Sequence, residues 1–87
     1  MKLVYKITFK KSVAKDLRKI DKKEAESILN RILQDLPNLA DSLPELKGKF
    51  TGLKKYRVGN YRIIFTILNN AILIVRIGNR KDVYRKM

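Results

Sequence analysis

The stretch YRVGNYRIIF, from Tyr56 to Phe65, decides the fold because it places a tight turn between two strand-like runs. Gly59-Asn60 at its centre suits a type II′ turn, which needs a positive φ at its first position and therefore favours glycine there. A two-residue turn fixes the register, and it pairs Arg57 with Arg62 on one face of a sheet. Directly opposed like charges destabilise a sheet by roughly 0.2–1 kcal/mol. The pattern therefore suggests that these arginines serve a purpose other than stability.

Before this hairpin, the sequence predicts one strand and two helices. Lys2 to Phe9 alternates apolar and polar residues, which is typical of a half-buried strand. Ser12 can cap a first helix. The apolar stripe of that helix is formed by Val13, Leu17 and Ile20.

The second helix is indicated by apolar residues three and four positions apart between Ala25 and Leu36. Asp21 to Glu24 is an acidic variant of the capping box that opens this helix, and Pro37 is expected to end it. From Pro37 to Gly52 the chain is predicted to be mostly loop, because it contains two prolines and two glycines. Four apolar residues are expected to hold this loop on the core, namely Leu39, Leu43, Leu46 and Phe50.

Three strands are predicted in the C-terminal half, at Leu53 to Val58, Tyr61 to Leu68 and Ala71 to Ile77. Asn69-Asn70 supplies the second two-residue turn, since asparagine tolerates a positive φ. Continuing the ladder through this turn places Ile77 opposite Arg62. The element order is β-α-α-β-β-β, and the fold class is α+β. A helical hairpin is expected to pack on a small, mainly antiparallel four-stranded sheet, with residues 1–87 forming a single domain.

Charge is the strongest signal in the composition. Lysine and arginine number 21 against 8 acidic residues, which leaves a net charge of +13. This balance favours a polyanionic partner, with nucleic acid ahead of an acidic protein and a membrane surface. The segment from Leu46 to Lys81 contains no acidic residue at all. A basic surface can simply be solvated, but here the positive segment coincides with the hairpin, which favours a binding site.

The residue types exclude several kinds of chemistry. With neither cysteine nor histidine, disulfides, thiol catalysis and zinc binding are not expected. The carboxylates fall mostly on the helices, so a two-metal nuclease is not expected, and there is no glycine-rich phosphate loop. No cofactor is predicted. The alternating N-terminus does not resemble a signal peptide, and no apolar run reaches the roughly 18 residues of a membrane span. We therefore expect a cytoplasmic protein.

A site built from lysine, arginine and tyrosine remains. The predicted register puts Lys55 on the same face as Arg57 and Arg62. Guanidinium groups present planar forks of donors that match phosphate oxygens. Long basic side chains at a sheet rim can also reach into water, but three that converge favour an anion. Arg80 and Tyr84 are expected near this cluster, where Tyr84 would either stack on an unpaired base or anchor the core.

The element order, the YRVGNYRIIF hairpin and the closing IGNRKDVY together resemble the RelE/ParE superfamily of toxins from type II toxin–antitoxin systems. The most specific elements are G-x-Y-R, from Gly59 to Arg62, and R-x-x-x-Y, from Arg80 to Tyr84. The resemblance implies a RelE-like fold and one of two activities. RelE-like members cleave mRNA in the ribosomal A site, whereas ParE-like members poison DNA gyrase and lack the nuclease residues. The retained arginines and terminal tyrosine favour the RelE-like activity.

The resemblance also implies roles for individual residues. Arg62 would stabilise the scissile phosphate. Arg80 would neutralise charge or protonate the leaving 5′-oxygen, and Tyr84 would stack on or orient the nucleotide. Lys55 and Arg57 match paired basic positions of the family, where the inner residue is often a lysine proposed as the general base. Because arginine does not lose its proton in proteins, Lys55 or Tyr84 would have to accept the 2′-OH proton.

The expected reaction is metal-independent attack of the 2′-oxygen on the adjacent phosphorus. Asn79 stands where many relatives carry histidine, so the site is expected to depend on alignment of the mRNA by the ribosome. The resemblance implies a second partner, a small acidic antitoxin of the RelB type. A non-catalytic RNA-binding module is a further alternative. The basic residues of the helices could contact ribosomal RNA or simply be solvated: Lys10, Lys11, Lys15, Arg18, Lys19, Lys22 and Lys23.

Overall fold

The structure is a computed structural model that describes residues 5–79 and Val83. Two helices pack on a four-stranded sheet, which confirms the α+β class and the order β-α-α-β-β-β. The elements are β1 (Lys6–Phe9), α1 (Lys11–Arg18), α2 (Lys22–Leu39), two short 3-10 turns (Ala40–Ser42 and Gly48–Phe50), β2 (Lys54–Val58), β3 (Tyr61–Leu68) and β4 (Ala71–Asn79). The predicted start of the first strand at Lys2 lies outside the described residues.

The strands lie in the order β1-β4-β3-β2. The three C-terminal strands form the predicted antiparallel meander. β1 runs parallel to β4, because the two helices between β1 and β2 carry the chain back across the sheet before the meander begins. The sheet is therefore mainly antiparallel with one parallel edge strand, as expected.

Both tight turns use the backbone conformations that their residues favour. Gly59 has a φ of 58°, and Asn60 is not among the residues with positive φ, as a type II′ turn requires. Asn69 and Asn70 have φ values of 47° and 64°. Two consecutive positive values are typical of a type I′ turn, whose twist matches that of the flanking strands.

The predicted cap of α1 was wrong. The helix begins at Lys11, so Ser12 lies in its first turn and not before it. The Ser12 hydroxyl donates to the carbonyl of Val75 in β4, at 2.7 Å, instead of accepting from the N–H groups of its own helix. Asp21 does occupy the N-cap position of α2, although its side chain makes no capping hydrogen bond.

The predicted end of α2 was also wrong, because the helix continues through Pro37 to Leu39. Leu36 and Ala40 are fully buried on either side of the proline, and the Ala40 N–H donates to the Leu36 carbonyl. The free energy gained by burying Leu36 and Ala40 therefore exceeds the cost of the backbone hydrogen bond that Pro37 cannot donate. Among the loop residues, Leu43 packs against the core, whereas Leu39 is 39% exposed.

A third correction concerns the pairing of β3 with β4. Arg62 pairs with Gly78 and not with Ile77, because the ladder shifts by one residue at a β-bulge. The bulge leaves Val75 without a paired residue in β3. β4 also extends two residues beyond the predicted end at Ile77.

The core lies between the helices and one face of the sheet. The fully or nearly fully buried residues of this cluster are Val13, Ile28, Ile32, Leu36 and Ala40 from the helical side, and Tyr56, Ile63, Phe65, Ile72, Ile74 and Ile77 from the sheet. Each large aliphatic side chain buried in this way contributes about 1.5–3 kcal/mol. Within the described part of the chain, none of the helices combines the length and the apolar character needed to cross a membrane.

Candidate functional site

Three of the predicted site residues lie on the sheet face opposite the helices. Tyr56 and Ile63 are paired with each other and point into the helix-covered core. Since side chains alternate along a strand, Lys55, Arg57 and Arg62 point to the other face. Arg57 and Arg62 are direct cross-strand partners, which confirms the predicted register of this hairpin.

These three cations line one cavity of about 200 Å³, together with Leu43, Pro44 and the strand residue Tyr56. We refer to the cavity bounded by Lys55, Arg57 and Arg62 as the cationic hollow. The loop before β2 forms its other wall because the Lys55 N–H donates to the Pro44 carbonyl at 3.4 Å.

Lys54 connects the start of β2 to the end of α2 by hydrogen bonds. The Lys54 ammonium donates to the carbonyls of Ala40 and Asp41, at 3.0 and 3.1 Å. A cation at this position satisfies the carbonyl groups that a helix leaves unpaired at its C-terminus. The loop between α2 and β2 is therefore held from both ends beside the hollow.

Two of the three cations have donors available for a ligand. Among residues 5–79 and Val83, neither Lys55 nor Arg57 forms an ion pair or a side-chain hydrogen bond. Arg57 is exposed, and Lys55 and Arg62 are half-buried. Partial burial strengthens the attraction of these groups for an anion, because the surroundings are less polar than bulk water.

The chain returns to the face of the hollow at Val83. Gly78 is the β4 partner of Arg62, so both positions face the same side of the sheet. A Cβ atom at Gly78 would lie 3.4 Å from the Cβ of Val83, which is itself fully buried. Two other predicted site residues, Arg80 and Tyr84, lie outside the described residues.

Sequence reasoning missed a buried carboxylate beside this face. Asp16 is 2% exposed; its Oδ1 lies 2.7 Å from Nη2 of Arg76, and its Oδ2 accepts from the N–H of Ile77 at 3.0 Å. The signal was present in the sequence, because Asp16 falls on the apolar stripe of α1 between Val13 and Leu17. A single carboxylate on the buried face of a helix needs a partner, and here β4 provides it.

The neighbour of Arg62 in the sequence has a different role. The Tyr61 hydroxyl donates to Oε2 of Glu24 at 2.7 Å and ties the hairpin to α2. This hydrogen bond raises the pKa of Tyr61 above its ordinary value of 10.0, and burial and the negative charges of Glu24 and Asp21 act in the same direction. Tyr61 therefore stays protonated at neutral pH and is not a candidate general base.

No cation-binding cluster is evident in the parts of the chain that the structure describes, where histidine, cysteine, aspartate and glutamate nowhere gather in groups of three. The lysine and arginine side chains at the hollow can bind an anion and stabilise it electrostatically.

The sequence matches the model of one protein family over residues 7–84. That family is described as the ParE toxin of type II toxin–antitoxin systems, parDE. A comparison with curated protein sequences found no match.

Solved structures show the same fold at low sequence identity. The toxin–antitoxin complex RelBE2 from Mycobacterium tuberculosis contains a chain with a TM-score of 0.81 and 21% identity, with 88% of this chain and 99% of that chain covered. A mutant of the E. coli toxin RelE in complex with an antitoxin RelBc peptide has a TM-score of 0.70 and 17% identity, covering 95% and 93%. The RelB–RelE antitoxin–toxin complex from Methanococcus jannaschii gives 0.65 and 26%, covering 91% and 96%.

Proposed function

The chain belongs to the ParE toxin family of type II toxin–antitoxin systems, and we propose that its toxic activity is ribosome-dependent cleavage of mRNA, which inhibits translation. The observation that carries the proposal is the cationic hollow. Arg57 and Arg62 face each other across two strands, and Lys55 lies on the same face. A fold under no selection for anion binding would have little reason to keep opposed arginines whose repulsion is unfavourable.

In the proposed reaction, the 2′-oxygen of one nucleotide attacks the adjacent phosphorus. A new P–O2′ bond forms and the P–O5′ bond breaks, which leaves a 2′,3′-cyclic phosphate and a free 5′-hydroxyl. Arg62 and Arg57 would bind the non-bridging oxygens and stabilise the extra negative charge of the transition state. This step needs no metal ion, because the guanidinium groups supply the positive charge.

The proton transfers are assigned to the remaining basic and phenolic groups. Lys55 or Tyr84 would accept the proton from the 2′-hydroxyl, and Arg80 would neutralise or protonate the leaving 5′-oxygen. Asn79, the last residue of β4, can orient a substrate by hydrogen bonding but has no proton to exchange. With no histidine in the chain, acid–base catalysis is weak, so alignment of the mRNA by the ribosome would supply much of the rate enhancement.

The proposal includes three partners, which are mRNA, the ribosome at its A site and a RelB-like antitoxin. The complexes of the structurally similar toxins with antitoxins support the last of these. The surface of α1 and the start of α2 would contact ribosomal RNA, because its basic residues are all exposed: Lys10, Lys11, Lys15, Arg18, Lys19, Lys22 and Lys23. Residues 1–87 would act as one toxin domain in the cytoplasm, where translating ribosomes are found.

A second candidate function is favoured by the family match itself. The matching family is that of ParE toxins, and ParE-like members of the superfamily inhibit DNA gyrase without cleaving nucleic acid. In that case the hollow would bind an acidic surface of a protein, and its cations would contribute affinity but no chemistry.

The test maps the 5′ ends of mRNA in a translating extract with wild-type protein, Arg62→Ala and Lys47→Ala. Lys47 is an exposed loop lysine outside the hollow, so its substitution removes one positive charge without touching the site. We expect codon-phased cuts with wild type and Lys47→Ala. For Arg62→Ala we expect a rate lower by about 10²–10³-fold, as for the loss of one preorganised donor.

Equal cutting by wild type and Arg62→Ala would refute the proposed role of the hollow. Absence of cuts with wild type, together with inhibition of DNA supercoiling by purified gyrase, would establish the second function instead.

A further inference from the structure

The pairing of β4 with β3 decides which side chains face the cationic hollow. In a regular ladder continued from the turn before β4, Arg76 would pair with Ile63 on the helix-covered face. Ile77 would then pair with Arg62 on the opposite face of the sheet, where the cationic hollow lies. That arrangement would place a guanidinium in the aliphatic core and an isoleucine against the phosphate-binding arginine, so both side chains would be in unsuitable surroundings.

The bulge at Val75 changes the partners of both Arg76 and Ile77. It shifts the ladder by one residue, so that Ile77 pairs with Ile63 and Gly78 pairs with Arg62. Because side chains alternate along a strand, a shift of one residue exchanges the two faces for every residue beyond the bulge. Ile77 is consequently fully buried in the core.

Two side chains of α1 bind the backbone of the bulged segment. The Ser12 hydroxyl donates to the carbonyl of Val75 at 2.7 Å, and Oδ2 of Asp16 accepts from the N–H of Ile77 at 3.0 Å. Oδ1 of Asp16 pairs with the guanidinium of Arg76 at 2.7 Å. Ser12 and Asp16 are four residues apart, so they lie on the same side of the helix. One helical turn therefore contacts three consecutive residues of β4.

These contacts begin where the edge strand ends. The last paired residue of β1 is Phe9, which lies beside Ile74, and the Lys10 N–H donates to the Ile74 carbonyl. Beyond that point no strand among residues 5–79 pairs with this side of β4, and its outward backbone groups would otherwise be buried without partners. Asp16 and Ser12 supply those partners, and they do so only for the shifted ladder, in which the N–H of Ile77 points toward α1.

The shifted ladder also creates the space in which Val83 packs. With Gly78 opposite Arg62, no side chain occupies this position, and Val83 packs in its place. Val83 precedes Tyr84, one of the proposed proton acceptors. Val83 can therefore pack on Gly78, the β4 partner of Arg62, only when the register is correct.

We propose that Asp16 is a positioning residue for the cationic hollow. Through Ile77 and Arg76 it holds the bulge that pairs Arg62 with Gly78 and allows Val83 to pack against Gly78. The catalytic consequence rests on the proposed function, whereas the effect on the register does not. Asp16 touches neither substrate nor reacting atoms, and it acts through β4.

The test compares Asp16→Asn, Ser12→Ala and the control Glu26→Gln in the full chain. Asp16→Asn keeps the volume and one oxygen but removes the charge that pairs with Arg76. Ser12→Ala removes only the hydrogen bond to the Val75 carbonyl and is the milder change. Glu26→Gln neutralises an exposed carboxylate on α2. For each protein, cross-strand nuclear Overhauser contacts of Arg62 report the register, and single-turnover cleavage on programmed ribosomes reports the rate constant and the amplitude.

In Asp16→Asn we expect contacts from Arg62 to Gly78 to weaken and contacts to Ile77 to appear. The rate constant should fall at least about tenfold, as expected for groups misplaced by about 1 Å. The half-saturating ribosome concentration should change little, because the basic surface of the helices is intact. A mere loss of stability would lower the reaction amplitude and leave the rate constant unchanged. Ser12→Ala should show smaller changes in the same direction, and Glu26→Gln none.

Retention of the Arg62–Gly78 contact with an unchanged rate constant in Asp16→Asn would overturn the proposal. If Asp16→Asn does not fold, Ser12→Ala decides by the same two measurements. If the wild-type protein does not cleave mRNA, the proposed function fails, and the contacts of Arg62 alone then support or overturn the role of Asp16 in setting the register.

Discussion

The two hairpins of the sheet are closed by turns of equal length but differ beyond the turn. β2 and β3 pair without interruption from Val58–Tyr61 to Lys54–Phe65. β3 and β4 pair regularly only from Leu68–Ala71 to Phe65–Ile74, and the remaining pairs are shifted by one residue. Along the outer edge of β2 the described loop residues pair with the strand only at Lys54 and Lys55, whereas α1 binds β4 directly at the shift.

The difference shows that a tight turn determines the register only as far as the ladder stays regular. Arg62 belongs to both hairpins, since its partners are Arg57 in β2 and Gly78 in β4. The regular hairpin pairs Arg62 with a second arginine, and the bulged hairpin pairs it with a glycine on which Val83 can pack. The geometry of the hollow thus depends on one hairpin being regular and on the other being interrupted.

The largest stability effect is expected where the bulged hairpin leaves space. Gly78→Leu would direct a large side chain into the volume that Val83 occupies, and overpacking of this kind lowers the free energy of unfolding by about 1–3 kcal/mol. Gly78→Ala is the matched control, because its Cβ would lie 3.4 Å from the Val83 Cβ, at the limit of ordinary contact. Urea denaturation of both variants measures the difference. Equal stabilities would mean that Val83 does not need the glycine.

The turns themselves provide a second comparison. Gly59→Ala forces a Cβ onto a residue with a φ of 58°, which costs about 1–2 kcal/mol. No heavy atom lies within 4 Å of the added Cβ, so the cost is one of backbone conformation alone. Asn70→Gly, at a φ of 64° in the other hairpin, should change the stability by less than about 1 kcal/mol.

Thermal unfolding of the two turn variants checks this difference. A smaller loss for Gly59→Ala than for Asn70→Gly would show that the first hairpin does not depend on its type II′ turn.

Much of this arrangement could be predicted from the sequence because it depends on local rules. The Gly59-Asn60 turn gave the correct pairing of Arg57 with Arg62, and period-two alternation gave the correct face for Lys55. The Val75 bulge could not be predicted in the same way, because its cause is Asp16, which lies 60 residues from its partner Arg76.

The end of α2 shows the same limit. Pro37 locally favours a stop, but the burial of Leu36 and Ala40 is a tertiary effect that overrides it. The two turns and the alternation along the strands were therefore predicted correctly, whereas the bulge and the end of α2, which depend on contacts between distant elements, were not.

The smallest expected effect concerns the opposed arginines themselves. Arg57→Gln keeps a long polar side chain but removes one of the two facing charges, so it should raise the free energy of unfolding by about 0.2–1 kcal/mol. Since Arg57 is exposed and Arg62 only half-buried, salt should screen their repulsion. Raising the ionic strength should therefore stabilise the wild type more than the variant. The matched control is Lys47→Gln, which removes a charge from an exposed loop residue outside the hollow.

Urea denaturation at low and high salt measures these differences. If Arg57→Gln is no more stable than Lys47→Gln, or shows the same salt dependence as the wild type, then Arg57 and Arg62 do not repel each other in the folded protein. A gain in stability at low salt together with a loss of mRNA cleavage would instead show that the first hairpin gives up folding free energy to keep two guanidinium groups at one phosphate.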